Sequence, residues 1–376
     1  MNIILAVTND LATDQRVDRS CAALAEAGHE VTLVGRRLPE SPRLAPRSYR
    51  TQRMRLLFRR SALFYAEYNL RLWFKLIISR ADVFYANDTD TLLACCCAAR
   101  LRKKKLFFDA HELFPEVPEL VHKPRIRSVW QWIERHCLPH VDAAVTVCQS
   151  VADEYHRRYG VEMAVVRNVP EKLTEPLDTI PHEGTVLLYQ GAVNVGRGVH
   201  ELIDVMRLLP GCRLVIAGNG DLEQPLRQYA ATLPWCDRID FRGRVLPQEL
   251  HKLTRQADLG LCLLEDLGLN YRYALPNRLA DFAQARVPLL ATDFPEIRRI
   301  ISKYQIGTLV PPCPVDKEGD DYEAYVGQLA DRIQETIAYW QKLPADERKQ
   351  HFDLAVHDLC WQNEKNILLD TIEQLR

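Results

Sequence analysis

Residues 271–278, Tyr-Arg-Tyr-Ala-Leu-Pro-Asn-Arg, lie between two hydrophobic runs, Leu259 to Leu264 and Val287 to Thr292, and lead into an amphipathic stretch. Pro276 suits the first turn of a helix, where its fixed φ is already helical and its missing N–H would have had no partner. The free amides and positive dipole end of a helix starting there point back over the carboxyl end of the preceding strand. That is where α/β sheets place phosphates. Asn277 and Arg278 flank this turn, and Asp281, one turn further on, is spaced to reach a ribose or sugar hydroxyl. The alternative is that Asn277 caps a surface helix and Asp281 sits on its wet face.

Three further clusters have the residue types for binding chemistry. Gly191-Ala-Val-Asn194-Val-Gly196-Arg197-Gly follows a hydrophobic run and opens a helical one. Its glycines allow close backbone approach, and Arg197 offers a fork of donors to a diphosphate. The spacing is not G-x-G-x-x-G, so the dinucleotide fingerprint is absent. Gly218-Asn219-Gly-Asp is a second glycine turn, fit for base or phosphate contact or simply for a tight turn. Asp109-Ala-His111-Glu112 ends a hydrophobic run in the first half. A histidine there, beside an acid, can bind or polarise a substrate, although a lone histidine is more often structural. Pro115 stands where the H-E-x-x-H zinc motif needs its second histidine. Asn9, Asp10, Asp14 and Arg16 occupy the loop after the first run and are candidates for an acceptor side, though their spacing identifies no acceptor.

The elements that would carry these clusters alternate. Strands at Asn2 to Val7, Glu30 to Val34, Val83 to Ala86, Lys105 to Asp109 and Ala143 to Val147 are separated by helical periodicities. A second series runs through Thr185 to Gln190, Arg213 to Ala217, Arg238 to Phe241 and Asp258 to Leu264. Such alternation predicts parallel sheets with right-handed crossovers, hence an α/β fold. Asn168-Val-Pro and the stretch 173–184, with Pro176 and Pro181, read as a linker. The expected organisation is residues 1–168 as an acceptor-side domain, 169–184 as linker, 185–355 as a nucleotide-sugar-binding domain and 356–376 as a final helix. Two doubly wound halves imply a cleft between them as the ligand site.

Composition narrows the class. A chain of 376 residues with 47% hydrophobic and 26% charged residues is globular and large enough for two cores. The start at Met1-Asn-Ile-Ile enters a strand without a basic leader, and the apolar run from Leu70 to Ser79 is too short to span a bilayer. The expectation is a cytoplasmic protein. Residues 1–170 hold 26 Lys and Arg against 19 Asp and Glu, a surplus of 7; the remainder holds 23 against 31, a deficit of 8. Most of the surplus lies in 36–80, with 12 basic and 2 acidic residues among aromatics. That pattern suits an anionic membrane surface, or a solvated face over core aromatics. No nucleic-acid-binding signature accompanies it. The 11 cysteines show no zinc spacing, and Cys95, Cys96 and Cys97 read as small buried residues.

Taken together, several segments resemble glycosyltransferase family 4, the group 1 transferases of GT-B fold. They are Asn9-Asp-Leu-Ala-Thr-Asp-Gln-Arg-Val, Asp109-Ala-His-Glu-Leu-Phe-Pro-Glu, Gln190-Gly-Ala-Val-Asn-Val-Gly-Arg-Gly, Ala217-Gly-Asn-Gly-Asp, Phe241-Arg-Gly-Arg-Val and Leu275-Pro-Asn-Arg-Leu-Ala-Asp-Phe. The segment Cys360-Trp-Gln-Asn-Glu-Lys is similar to the family's final helix, which crosses back to the first domain. The resemblance implies two Rossmann-like domains and a retaining, metal-independent transfer from a nucleoside diphosphate sugar to an acceptor hydroxyl, with no cofactor.

In that scheme His111 contacts the donor sugar, Arg197 binds the diphosphate, Asp281 binds ribose, and the segment Phe241 to Val245, including Arg244 and Val245, holds the base. Tyr273 replaces the first acid of the family's E-x7-E motif, and Glu265 or Asp266 in the same loop is its nearest substitute. The resemblance further implies a lipid-linked or saccharide acceptor and bacterial polysaccharide or lipopolysaccharide assembly at the inner membrane face. A nucleotide-sugar-binding subunit without activity and a sugar-nucleotide epimerase of similar fold are the alternatives.

Overall fold

A computed structural model describes residues 1–12, 14–121, 123–173 and 184–376. The central part of the expected linker, 174–183, lies outside the described residues. The chain divides into two compact units, one of residues 1–168 with 363–376 and one of residues 169–362. Residues 356–362, expected with the final helix, fall in the second unit.

The first unit runs β1 (Asn2–Asp10), α1 (Gln15–Glu26), β2 (Glu30–Arg37), β3 (Arg50–Arg55), α2 (Ser61–Ile78), β4 (Val83–Asn87) and α3 (Thr89–Arg102). It continues with β5 (Lys105–Ala110), α4 (Pro118–Val121), α5 (Pro124–Cys137), β6 (Ala143–Thr146), α6 (Gln149–Tyr159) and β7 (Ala164–Val165). All seven strands are parallel, in the order β3-β2-β1-β4-β5-β6-β7. Every residue of β4 is buried, as expected of a central strand covered by helices on both faces.

The basic stretch 36–80 resolves into the end of β2, the edge strand β3 and the helix α2. Phe64, Tyr68, Leu72 and Leu76, at i, i+4, i+8 and i+12, face the core. Cys95 and Cys96 are buried as expected, whereas Cys97 is exposed on the outer side of α3. Among the described residues no helix is long and apolar enough to cross a membrane.

The second unit runs β8 (Thr185–Gln190), α7 (Val199–Val205), β9 (Cys212–Ala217), α8 (Glu223–Ala231), β10 (Ile239–Gly243), α9 (Pro247–Thr254), β11 (Leu259–Cys262) and α10 (Leu269–Arg272). It ends with α11 (Asn277–Gln284), β12 (Leu289–Thr292), α12 (Pro295–Tyr304), β13 (Gly307–Val310), α13 (Gly319–Lys342), α14 (Ala345–Asp358) and the start of α15 (Trp361–Glu373). Its six parallel strands are ordered β10-β9-β8-β11-β12-β13. One apolar cluster, with Phe282, Ile297, Trp340 and Phe352, and another, with Leu202, Ile203, Leu329 and Ile333, cover this sheet.

Both sheets reverse their winding once. In the first unit the chain moves outward from β1 to β3, then restarts at β4 on the other side; in the second it does so between β8 and β11. The loops leaving the carboxyl ends of those neighbouring strands diverge to opposite sides and open a crevice, the usual ligand position in such sheets.

Candidate functional site

In the second unit the crevice is walled by the loops after β8 and β9, which are zipped together through backbone. Gly191 N–H donates to the Ala217 carbonyl, Val193 N–H to the Asn219 carbonyl and Leu222 N–H to the Val193 carbonyl, each at 3.0 Å. The Asn194 side chain accepts from Asp221 N–H at 3.0 Å, so it fixes the loop instead of projecting from it. Gly218, at φ +159°, packs so closely that a Cβ would lie 1.7 Å from the Gly191 carbonyl oxygen. Glu265 N–H donates to the Gly196 carbonyl at 3.0 Å and ties the loop after β11 to the same assembly.

Two arginines attend the Gly191 loop. The Arg197 guanidinium stacks 4.8 Å from the centre of the buried Tyr271 ring, whose hydroxyl donates to the Val195 carbonyl at 2.8 Å. Arg278, first-turn residue of α11, is buried; it stacks 4.7 Å from the Tyr189 ring, and its Nη1 donates to the Gln190 carbonyl at 3.2 Å. Among the described residues neither arginine has a carboxylate partner. Burying a guanidinium without a counter-charge is costly, so positive potential is left uncompensated behind this loop. Asp281, half-buried, accepts from Gln190 Nε2 at 3.1 Å, and Thr254 Oγ1 holds the other end of that amide at 2.8 Å. Asp281 is thereby fixed at the carboxyl end of β8.

Two expectations change here. Pro276 is the residue before α11, with ψ 131°, and the helix starts at Asn277, whose side chain is exposed; the proline's extended ψ belongs to the cap. The strand expected to reach Leu264 ends at Cys262, because Leu264 N–H turns to the Thr292 hydroxyl at 2.8 Å. Glu265 is buried against Lys317, whose Nζ lies 2.9 Å from its Oε1 and also contacts Glu201, and Asp266 pairs with Arg272. Glu265 is thus engaged by Lys317, whereas Asp266 gives one carboxylate oxygen to Arg272 and its Oδ1 has no hydrogen bond among the described residues. Arg244 is exposed after β10, and Val245 packs partly on the core.

In the first unit the crevice is a cavity of about 460 Å³ at the carboxyl ends of β1, β4 and β5. His111 lies in it, with Nδ1 3.3 Å from Asp88 and Nε2 3.4 Å from Asp109. Asp109 also accepts from Arg16 at 2.7 Å and from the Tyr85 hydroxyl at 2.8 Å. Burial opposes a charge on the imidazole, but the carboxylates of Asp88 and Asp109 outweigh it and raise its pKa to about 9. Asp109 is also buried, yet Arg16 and His111 hold its pKa well below the ordinary carboxylate range. Asp88 and Asp90 go the other way: burial, only partly offset by His111 and by hydrogen bonds, pushes both up to about 7. The chemistry available is a fixed imidazolium facing two carboxyls poised to hold or release protons near neutrality.

Of the residues expected on the acceptor side, Asn9, Asp14 and Glu112 line this cavity. Asp14 additionally caps α1, its Oδ1 accepting from Val17 N–H at 3.1 Å. Arg16 does not reach the cavity. It is buried beneath it, bonded to Asp109 and, at 2.8 Å, to the Val166 carbonyl. Asp10 turns away to Ser41 and Arg53 and holds the loop after β2. Asp88 and Asp90 were not singled out from the sequence; the polar run Asn87-Asp-Thr-Asp directly after a hydrophobic strand was the available signal.

Two Rossmann-like units with polar crevices at their winding reversals define a GT-B architecture, and the comparisons agree. Residues 15–170 match the family model Glycosyltransferase Family 4, and residues 176–322 match Glycosyl transferases group 1. The chain belongs to the group 1 glycosyltransferases. A phosphatidyl-myo-inositol mannosyltransferase of Mycobacterium tuberculosis is 30% identical over 145 residues, which take in 37% of this chain and only 36% of that protein's length. Among solved structures, a sucrose-phosphate synthase from Thermosynechococcus elongatus superposes with a TM-score of 0.79 at 16% identity, covering 100% of this chain and 99% of that one. The Anabaena protein HepE in complex with UDP-glucose gives 0.70 at 13% identity, covering 99% of each chain. At these identities the structures establish the fold.

Proposed function

We propose that this chain is a retaining, metal-independent glycosyltransferase that moves a sugar from a nucleoside diphosphate to the hydroxyl of a saccharide or lipid-linked acceptor, in bacterial polysaccharide or lipopolysaccharide assembly at the inner face of the membrane. The observation that carries the reading is the pair of cations without carboxylate partners, Arg197 and buried Arg278, on the glycine loop at the winding reversal of the second sheet. A leaving diphosphate gains negative charge in the transition state, and fixed guanidinium groups with helix-end amides answer that charge where it develops. Asp281, held by Gln190, is the ribose partner, His111 the donor-sugar contact, and the exposed segment at Arg244 the base contact. UDP-glucose in the HepE structure makes a uridine nucleotide the first donor to try.

The pairing of Glu265 with Lys317, and Tyr273 at the missing acid, favour one competing reading, a nucleotide-sugar-binding subunit without activity. A thermal-shift screen against UDP, GDP, ADP, TDP and their sugars separates them. Nucleotide at about 100 times its dissociation constant adds roughly 2.7 kcal/mol of apparent stability. Stabilisation by one nucleotide that disappears in Arg197→Ala, together with nucleoside diphosphate release that requires an acceptor, supports transfer. Stabilisation without release under any acceptor supports the binding subunit, and no stabilisation by any nucleotide removes both.

A further inference from the structure

A second cavity, about 320 Å³, adjoins the one that holds His111; Arg36 and Arg59 line both. Arg37 and Arg55 complete its polar lining, Leu56 and Phe58 are part of its apolar lining, and no acidic residue is among the residues lining it. Charge is thus graded along the two cavities: Asp14, Asp88, Asp90 and Glu112 share the first with His111, Arg36, Arg59 and Arg60, whereas four arginines are the only charged residues lining the second.

Those four guanidinium groups have no ion-pair partner among the described residues. Arg36 stacks 4.8 Å from the Phe64 ring, its Nη1 reaches only the Arg59 carbonyl at 3.4 Å, and its Nε is buried without a hydrogen bond. Arg53, on the same strand as Arg55, shows the contrast, being paired with Asp10 at 3.4 Å. Converging cations of this kind repel one another unless an anion joins them, and the planar guanidinium fork matches phosphate oxygens. The 18-residue α2 adds to the positive potential: it starts at Ser61, which lines the first cavity, with no side-chain cap and no acid in its first turn. Nearby surface is apolar. Leu57, Leu63, Leu70, Phe74 and Ile78 are all more than half exposed.

We propose that the arginine cavity binds the phosphate or diphosphate of a phosphorylated acceptor, whose sugar hydroxyl then reaches the His111 cavity. This rests on the acceptor-side reading of the first unit. The shared chemistry is a phosphate ester, from either a soluble sugar phosphate or a lipid-linked one.

The test is calorimetric titration of the full chain with inorganic pyrophosphate and with farnesyl diphosphate. It is run in an Arg197→Ala background so that the glycine loop of the second unit does not compete. The expected result is that adding Arg37→Gln and Arg55→Gln weakens binding by about tenfold or more. Both are exposed side chains without partners, so the melting temperature should hold and confirm folding. Tighter binding of farnesyl diphosphate than of pyrophosphate assigns a lipid-linked acceptor, and equal binding a soluble one. Binding of neither probe, or binding that the two added substitutions leave within a few-fold, overturns the proposal. Nucleotide stabilisation of the wild-type chain is read separately, so failure of the donor reading and failure of this one are distinct results.

Discussion

His111 sits between two carboxyls that the structure drives in opposite directions. Asp109, clamped by Arg16 and Tyr85, stays ionised, whereas burial raises Asp88 towards neutrality. The ring's pKa in the folded chain, about 9, lies above its unfolded value of 6.5. A raised histidine pKa means that the folded state holds the proton more tightly. The resulting stability is fully present below pH 6.5 and is lost as pH rises through 9. The shift corresponds to about 3 kcal/mol. The first unit should therefore melt progressively lower from pH 6.5 to above 9, and His111→Asn should flatten that slope. Equal slopes in the two proteins, followed by thermal unfolding across this range, would show the imidazole neutral in the folded state. The histidine was legible because its type and place after a hydrophobic strand mark it. Its partners were less so, since nothing in Asn87-Asp-Thr-Asp says that Asp88 will be half-buried against the ring or Asp90 buried beside it.

The inner strands of each sheet were legible, and of the four edge strands only β10 was. β4, β5 and β8 read as apolar runs because helices cover both their faces. β3, Arg-Thr-Gln-Arg-Met-Arg, carries no such run, being an edge strand with its outer side wet; the edge strands β7 and β13 went unread as well. Loops were read by glycine, which locates a turn but not what it touches. Gly191 and Gly218 lie in different loops, and only their zipper shows why Gly218 has no room for a side chain. Gly218→Ala should force the two loops apart, since its Cβ meets backbone that cannot rotate away. The expected cost is about 1–3 kcal/mol of stability. Nucleotide-dependent stabilisation should fall by more than that global loss explains, because Arg197 rides on the displaced loop. A variant that melts lower yet keeps full nucleotide stabilisation would detach the loop from binding.

At the scale of the whole chain, the first unit is closed by both ends of the sequence. Residues 363–376 return to it, and α15 brings a fully buried carboxylate, Glu364, to the segment just after β7. Glu364 accepts from Arg167 N–H at 2.7 Å and from Arg167 Nε at 2.8 Å. Leu368 and Ile372 are completely buried, and Lys365 pairs with Glu26 of α1. A chain ending at residue 362 should lose the burial of those two apolar side chains, roughly 1.5–3 kcal/mol each, and leave Arg167 without its buried partner. The loss belongs to the first unit alone. In the second, α14 still packs on α11, and Trp340 and Phe352 remain in the core beneath β12. Calorimetry of the truncated chain should show one transition displaced downward and the other in place. Only the second should rise when nucleotide is added, because Arg197, Arg278 and Asp281 all belong to it. Glu364→Gln should reproduce part of the displacement, since the amide keeps the shape but not the charge that Arg167 requires. If both transitions fall together, the units are not the independent folding bodies that their separate cores imply, and nucleotide would then stabilise the first unit through the second.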